Sequence, residues 1–88
     1  SGSLHIFSFT NQQLENVKEI FKSDLNKPDN AHLAADLDKN EFNYDSCKTF
    51  MNFMVKNKTD KNLDLTTNEL IKDMQNTLFA SKTQSTSR

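Results

Sequence analysis

The sequence predicts a small all-α domain built from four helices, two of them short or irregular. Three observations lead there. One phrase occurs twice, as Phe9-Thr10-Asn11-Gln12-Gln13-Leu14 and as Leu65-Thr66-Thr67-Asn68-Glu69-Leu70. In each, a threonine hydroxyl is placed to accept from the backbone N–H three residues on, and a Gln or Glu at that third position reaches back. The flanking apolar residues touch, so each phrase opens a helix. Apolar residues then recur at helical spacing along most of the chain. Finally, the 88 residues include one glycine and no alternating run of any length, which argues against β and α/β folds.

The elements follow in order. Leu4 to Phe9 alternates imperfectly and is expected as a short strand, or as an arm packed across the helices. Thr10 caps the first helix, with Leu14, Val17, Ile20 and Phe21 on one face. Glu15, Lys18, Glu19 and Lys22 hold the other face, in favourable Glu15–Lys18 and Glu19–Lys22 pairings. Ser23 to Asn30 breaks the helix: Pro28 presets φ, and Asp29 and Asn30 bond their own backbone. Ala31 to Leu37 is expected as one or two helical turns, and Asp36 to Asp45 as a polar connector anchored by Phe42 and Tyr44. Asp45 or Ser46 is the expected cap of the next helix, Ser46 to Lys56. There Cys47, Phe50, Met51 and Met54 fall at i, i+3, i+4 and i+7, and Phe53 widens the stripe. A charged loop spans 57–64. The last helix starts at Thr66 and turns Leu70, Ile71, Met74 and Leu78 inward, with Phe79 at its end. Ser1-Gly2-Ser3 reads as a cloning remnant and 81–88, which has no apolar residue, as a disordered tail. That leaves 4–80 as one helical domain.

Composition narrows the function. Hydrophobic residues make up 34% of the chain, and the mean hydropathy is −0.78, so the core is thin. Domains this small bury only about 60% of their extended surface. The net charge is −1, and the only arginine is Arg88 in the tail. Neither a basic field nor guanidinium forks are present for nucleic acid, and none is expected as a partner. One cysteine, Cys47, forms no internal disulfide and no thiolate cluster. It sits on an apolar stripe and is read as core rather than as a nucleophile. His5 and His32 lie in separate segments without metal-ligand spacing. No cofactor and no enzymatic activity are expected. No apolar run reaches the length of a membrane span, and a cytoplasmic or nuclear location is expected.

The segment Lys58 to Glu69 places oxygen-bearing residues Asp60, Asn62, Asp64, Thr66 and Glu69 at positions 3, 5, 7, 9 and 12 of a twelve-residue frame, with Leu65 at position 8. This resembles an EF-hand loop and its exiting helix. The opening helix, Phe9 to Phe21, is similar to the first helix of a calmodulin-type or light-chain-like lobe. A second frame runs from Asp24 to Ala35 with Ala31 at position 8. The resemblance implies a degenerate EF-hand pair, with a short β-bridge between Asn30–His32 and Asp64–Thr66. Lys58 stands where the first-position Asp belongs and Leu63 where the sharp-turn Gly belongs, and Ala35 replaces the last Glu of the earlier frame. No metal is therefore expected. If calcium binds, its ligands are Asp60, Asn62, Asp64, Thr66 and Glu69.

The function expected from these residues is calcium-independent protein interaction, with an amphipathic helix of a partner laid into a Met/Phe groove. The candidate partner-binding residues are Phe50, Phe53, Met54, Met74, Leu78 and Phe79, because methionine-rich apolar faces receive partner helices. Most of them are expected to serve the core as well, and Phe53 and Phe79, at the margins of their stripes, are placed nearest the groove. The alternatives are a single-site calcium sensor or buffer, and a dimerisation or assembly domain of a larger scaffold protein.

Overall fold

Thr10 begins the helical part of the molecule as expected. Its Oγ1 accepts from Gln13 N at 3.1 Å, and Gln13 Oε1 accepts from Thr10 N at 2.9 Å. The computed structural model describes residues 4–58 and 65–85, with the side chains of 4–58 and 66–81. Its elements are α1 (Asn11–Ile20), α2 (Lys22–Leu25), a 3₁₀ turn (Pro28–Asn30), α3 (Ala31–Lys39), α4 (Tyr44–Asn57) and α5 (Leu65–Ser85). The domain is all-α, as the periodicity predicts, and α5 lies along α4 as its main partner.

The helix breaks have local causes. Phe21, at φ −105° and ψ 23°, ends α1, and α2 continues for one turn. Lys27 is extended, as the residue before a proline prefers, and Pro28 opens the 3₁₀ turn with its φ already set. Asn30 Nδ2 donates to Asp24 O at 2.7 Å and closes the bend. Asn40 stops α3 in the left-handed conformation, φ 55° and ψ 38°, a C-terminal role that falls to glycine or asparagine. Asn43, not Asp45 or Ser46, caps α4: its Oδ1 accepts from Ser46 N at 2.8 Å while Ser46 Oγ accepts from Asn43 N at 3.0 Å. Ser46 is thus the third residue of a capping box rather than its head.

The N-terminal segment is an arm. Phe7 and Phe42 form an antiparallel bridge, with Ile6 N and Phe42 N donating to Phe42 O and Phe7 O at 2.8 and 3.0 Å. The bridge expected between Asn30–His32 and Asp64–Thr66 does not form at its first side. Asn30 lies in the 3₁₀ turn, and Ala31 and His32 open α3, because Pro28 commits the chain to a helical start there. On the other side, Leu65 and Thr66 already belong to α5. At its far end α5 runs through Ser81–Ser85, the first part of the segment expected as a tail.

The core is a chain of rings. Phe7 meets Phe9 at 4.9 Å between centroids, Phe9 and Phe42 each contact Phe50 at 6.0 and 5.6 Å, Phe50 meets Phe53 at 5.4 Å, and Phe53 meets Phe21 at 5.4 Å. Most cross edge to face, the arrangement the ring quadrupole favours. Val17, Leu25, Leu33, Leu37, Cys47, Met54, Leu70, Met74 and Leu78 complete the buried cluster among the described residues.

Among the described residues, a buried hydroxyl is left over. Thr67 is fully enclosed in the first turns of α5, and its Oγ1 has no hydrogen-bond partner. A buried hydroxyl without a partner costs about 1–3 kcal/mol. Thr67→Val keeps the shape and removes that hydroxyl, so it is expected to raise stability by roughly 1 kcal/mol. A lower urea midpoint for this variant would show that the hydroxyl is satisfied in solution.

Candidate functional site

Of the six residues predicted to form a partner groove, five face inward. Phe50, Met54 and Met74 are fully buried, Phe53 is 7% exposed and Leu78 8%, all inside the cluster that holds α4 against α5. Phe79, at 73%, lies on the surface of α5. The stripe that exceeded the needs of one thin helix face is filled by Phe9 from the arm and Phe42 from the connector, whose rings reach Phe50. Among the candidate calcium ligands, Asp60, Asn62 and Asp64 lie outside the described residues. Thr66 is half-buried and Glu69 exposed, both within α5.

Cys47 and the His5–Ser8 pair are engaged in structure. Cys47 is fully buried on α4, and burial pushes its thiol up to about 11. The folded protein therefore holds the thiol neutral at pH values where the unfolded chain begins to form thiolate, near 9.0. Stability from this group is complete below that value and lost as pH rises through about 11. At pH 8, Ellman's reagent is expected to react with Cys47 only at the rate of unfolding; prompt reaction of the native protein would contradict the burial. His5 Nε2 lies 2.8 Å from Ser8 Oγ and 3.0 Å from Phe7 O. The Ser8 hydroxyl donates its proton to Asn40 O at 2.8 Å, so the imidazole nitrogen is the donor to the serine and not its base. Among the described residues no three His, Cys, Asp or Glu side chains gather as a metal-holding group.

The surface of the described residues is concave beside α3. Among the described residues, two of the open clefts flank α3. The larger, about 570 Å³, lies between α1–α2 and α3. Leu25, Ala34 and Leu37 form its floor, and Glu15, Glu19 and Lys22 stand on its rim with Lys18 and Asp38. Lys18 Nζ meets Asp38 Oδ1 at 3.7 Å across the opening, in a solvent-exposed pair. Exposed pairs of this kind are worth at most about 1 kcal/mol and open readily. The second cleft, about 480 Å³, lies between the 3₁₀ turn with the start of α3 and the outer face of α4. It is lined mainly by polar side chains, with Leu33 and Phe53 beneath. Neither cleft was legible in the linear pattern, since each joins faces of elements separated by a turn. Among the described residues no helix is long and apolar enough to cross a membrane. No protein family, curated protein or solved structure matches the chain.

Proposed function

We propose that this domain is a non-catalytic protein-interaction module that holds an amphipathic helical segment of a partner, without calcium, in the cleft between α1–α2 and α3. The observation that supports this reading is the form of that cleft: an apolar floor at Leu25, Ala34 and Leu37 beneath a rim carrying both charge signs. An apolar helix stripe suits the floor, and flanking charges of either sign find partners on the rim. Ala34 is the small residue that lets a helix approach α3 closely. The Met/Phe set is used in the core, so the docking surface is built from other residues than those first expected to form it. Leu25 and Leu37 expose little area, which places the contact in the weak, transient class with roughly micromolar or weaker affinity.

Titration of the ¹⁵N-labelled domain with a designed amphipathic helix, Leu on one face and Lys and Glu on the other, tests the reading. Amide shifts are expected to cluster at Glu19, Lys22, Ala34 and Asp38, and to vanish in Ala34→Glu, whose half-buried position tolerates a solvent-directed side chain. Shifts centred on Phe79, or none at all, would overturn the choice of face.

A further inference from the structure

We infer that the second cleft, between the start of α3 and the outer face of α4, binds a short acidic segment of a partner protein. The inference rests on the interaction-module reading and adds a charge-selective contact to it. After Asp45, the sequence of α4 contains no carboxylate, while Lys48, Thr49, Asn52 and Lys56 are exposed along it. Thr49, Asn52 and Lys56 line the cleft, and His32 faces them from α3. Within the described residues these four side chains make no hydrogen bond or ion pair. On other faces some polar groups are paired, Lys18 with Asp38, Gln13 with Asp73 and Lys58 with Asn68. The cleft therefore gathers an ammonium, an imidazole, an amide and a hydroxyl whose donor capacity is unspent. A carboxylate-bearing segment is the chemistry that uses it.

The surroundings favour a short acidic peptide over a long uniform polyanion. Asp29 stands on the rim and Asp45 at the head of α4, so the donor patch is bounded by negative charge at both ends. Lys27, on the same rim, is partly neutralised by Asp24 at 3.7 Å. A nucleic-acid strand carries its phosphates past those carboxylates, whereas two or three acidic side chains fit between them. The described residues also contain no arginine for bidentate phosphate contacts.

Fluorescence anisotropy at low salt decides the matter with three probes: a labelled peptide of alternating Asp and Leu, its Asn-for-Asp counterpart, and a short duplex DNA. The acidic peptide is expected to bind, and its neutral counterpart to bind roughly tenfold more weakly. Lys56→Glu is expected to weaken the acidic peptide by roughly tenfold and Asn52→Ala by roughly threefold. Lys56→Glu leaves binding of the designed amphipathic helix unchanged. Equal binding of the neutral peptide, an unaffected Lys56→Glu variant, or tighter binding of the DNA would each overturn the inference. If the acidic peptide fails while the amphipathic helix still binds, this cleft is excluded and the module reading stands; if both fail, both fall.

Discussion

Phe50→Ala is expected to cost about 3–5 kcal/mol and to leave the domain at the edge of unfolding at 25 °C. The magnitude follows from where the ring sits. Phe50 is fully buried and is the point at which three separate segments converge. Phe9 reaches it from the arm, Phe42 from the connector between α3 and α4, and Phe53 from the next turn of its own helix. Truncation removes the transfer energy of the ring, opens a cavity that none of the three neighbours alone can fill, and ends three aromatic contacts worth about 0.5–1.5 kcal/mol each. Domains of this length hold only about 5–10 kcal/mol of stability in total. Phe50→Leu retains most of the volume and is expected to cost roughly 1.5 kcal/mol. Val55→Ala, on the exposed side of the same helix, is expected to change stability by less than about 0.5 kcal/mol. Urea unfolding followed by circular dichroism ranks the three, and a loss below about 2 kcal/mol for Phe50→Ala would mean that the rings do not share one core.

The same convergence explains what was legible in the sequence. Helix starts governed by residues three apart can be read directly, as the Thr10–Gln13 box shows. The inward faces of α1, α4 and α5 follow from periodicity, with Val17, Cys47, Phe50, Met54, Leu70 and Met74 all buried. How much of the apolar surplus on α4 and α5 is buried is not legible in the pattern, because its partners carry no helical period. Phe9 was visible only as a helix staple and Phe42 only as an anchor in a polar stretch, yet both rings pack on Phe50. The cap of α4 was misplaced for a related reason: Asp45 and Ser46 both resemble capping residues, and only the bond from Ser46 N to Asn43 distinguishes the true one. The second EF-hand-like frame, drawn from Asp24 to Ala35 with Ala31 at position 8, is not followed by the backbone: Pro28 turns that stretch into a 3₁₀ start, and helix rather than bridge follows from Ala31.

Asn40→Ala is expected to destabilise the domain by about 3 kcal/mol, more than any other substitution of a partly exposed residue. Two separate terms make up that figure. Asn40 closes α3 at φ 55°, where a Cβ without a compensating polar group costs roughly 1 kcal/mol. Its amide also pairs with the backbone of the arm: Oδ1 accepts from Phe9 N at 2.8 Å and Nδ2 donates to Phe9 O at 2.9 Å. Each of those bonds is worth about 1 kcal/mol, and both backbone groups are partly buried, so water replaces the lost partner poorly. Asn40→Gly separates the terms, because it keeps the left-handed conformation and loses only the clamp. It is expected to cost about 2 kcal/mol. The Ser8 bond is unaffected in either variant, since it ends on the backbone carbonyl of residue 40. Hydrogen exchange then tests the mechanism as well as the magnitude. With the clamp gone, the amides of Ile6, Phe7 and Phe42, which form the arm bridge, lose protection ahead of Phe21 and Leu25 in the body of the domain. Equal costs for the two variants would remove the conformational term. Unchanged protection at the bridge would show that Phe7 and Phe9 hold the arm by packing alone, with the Asn40 amide idle.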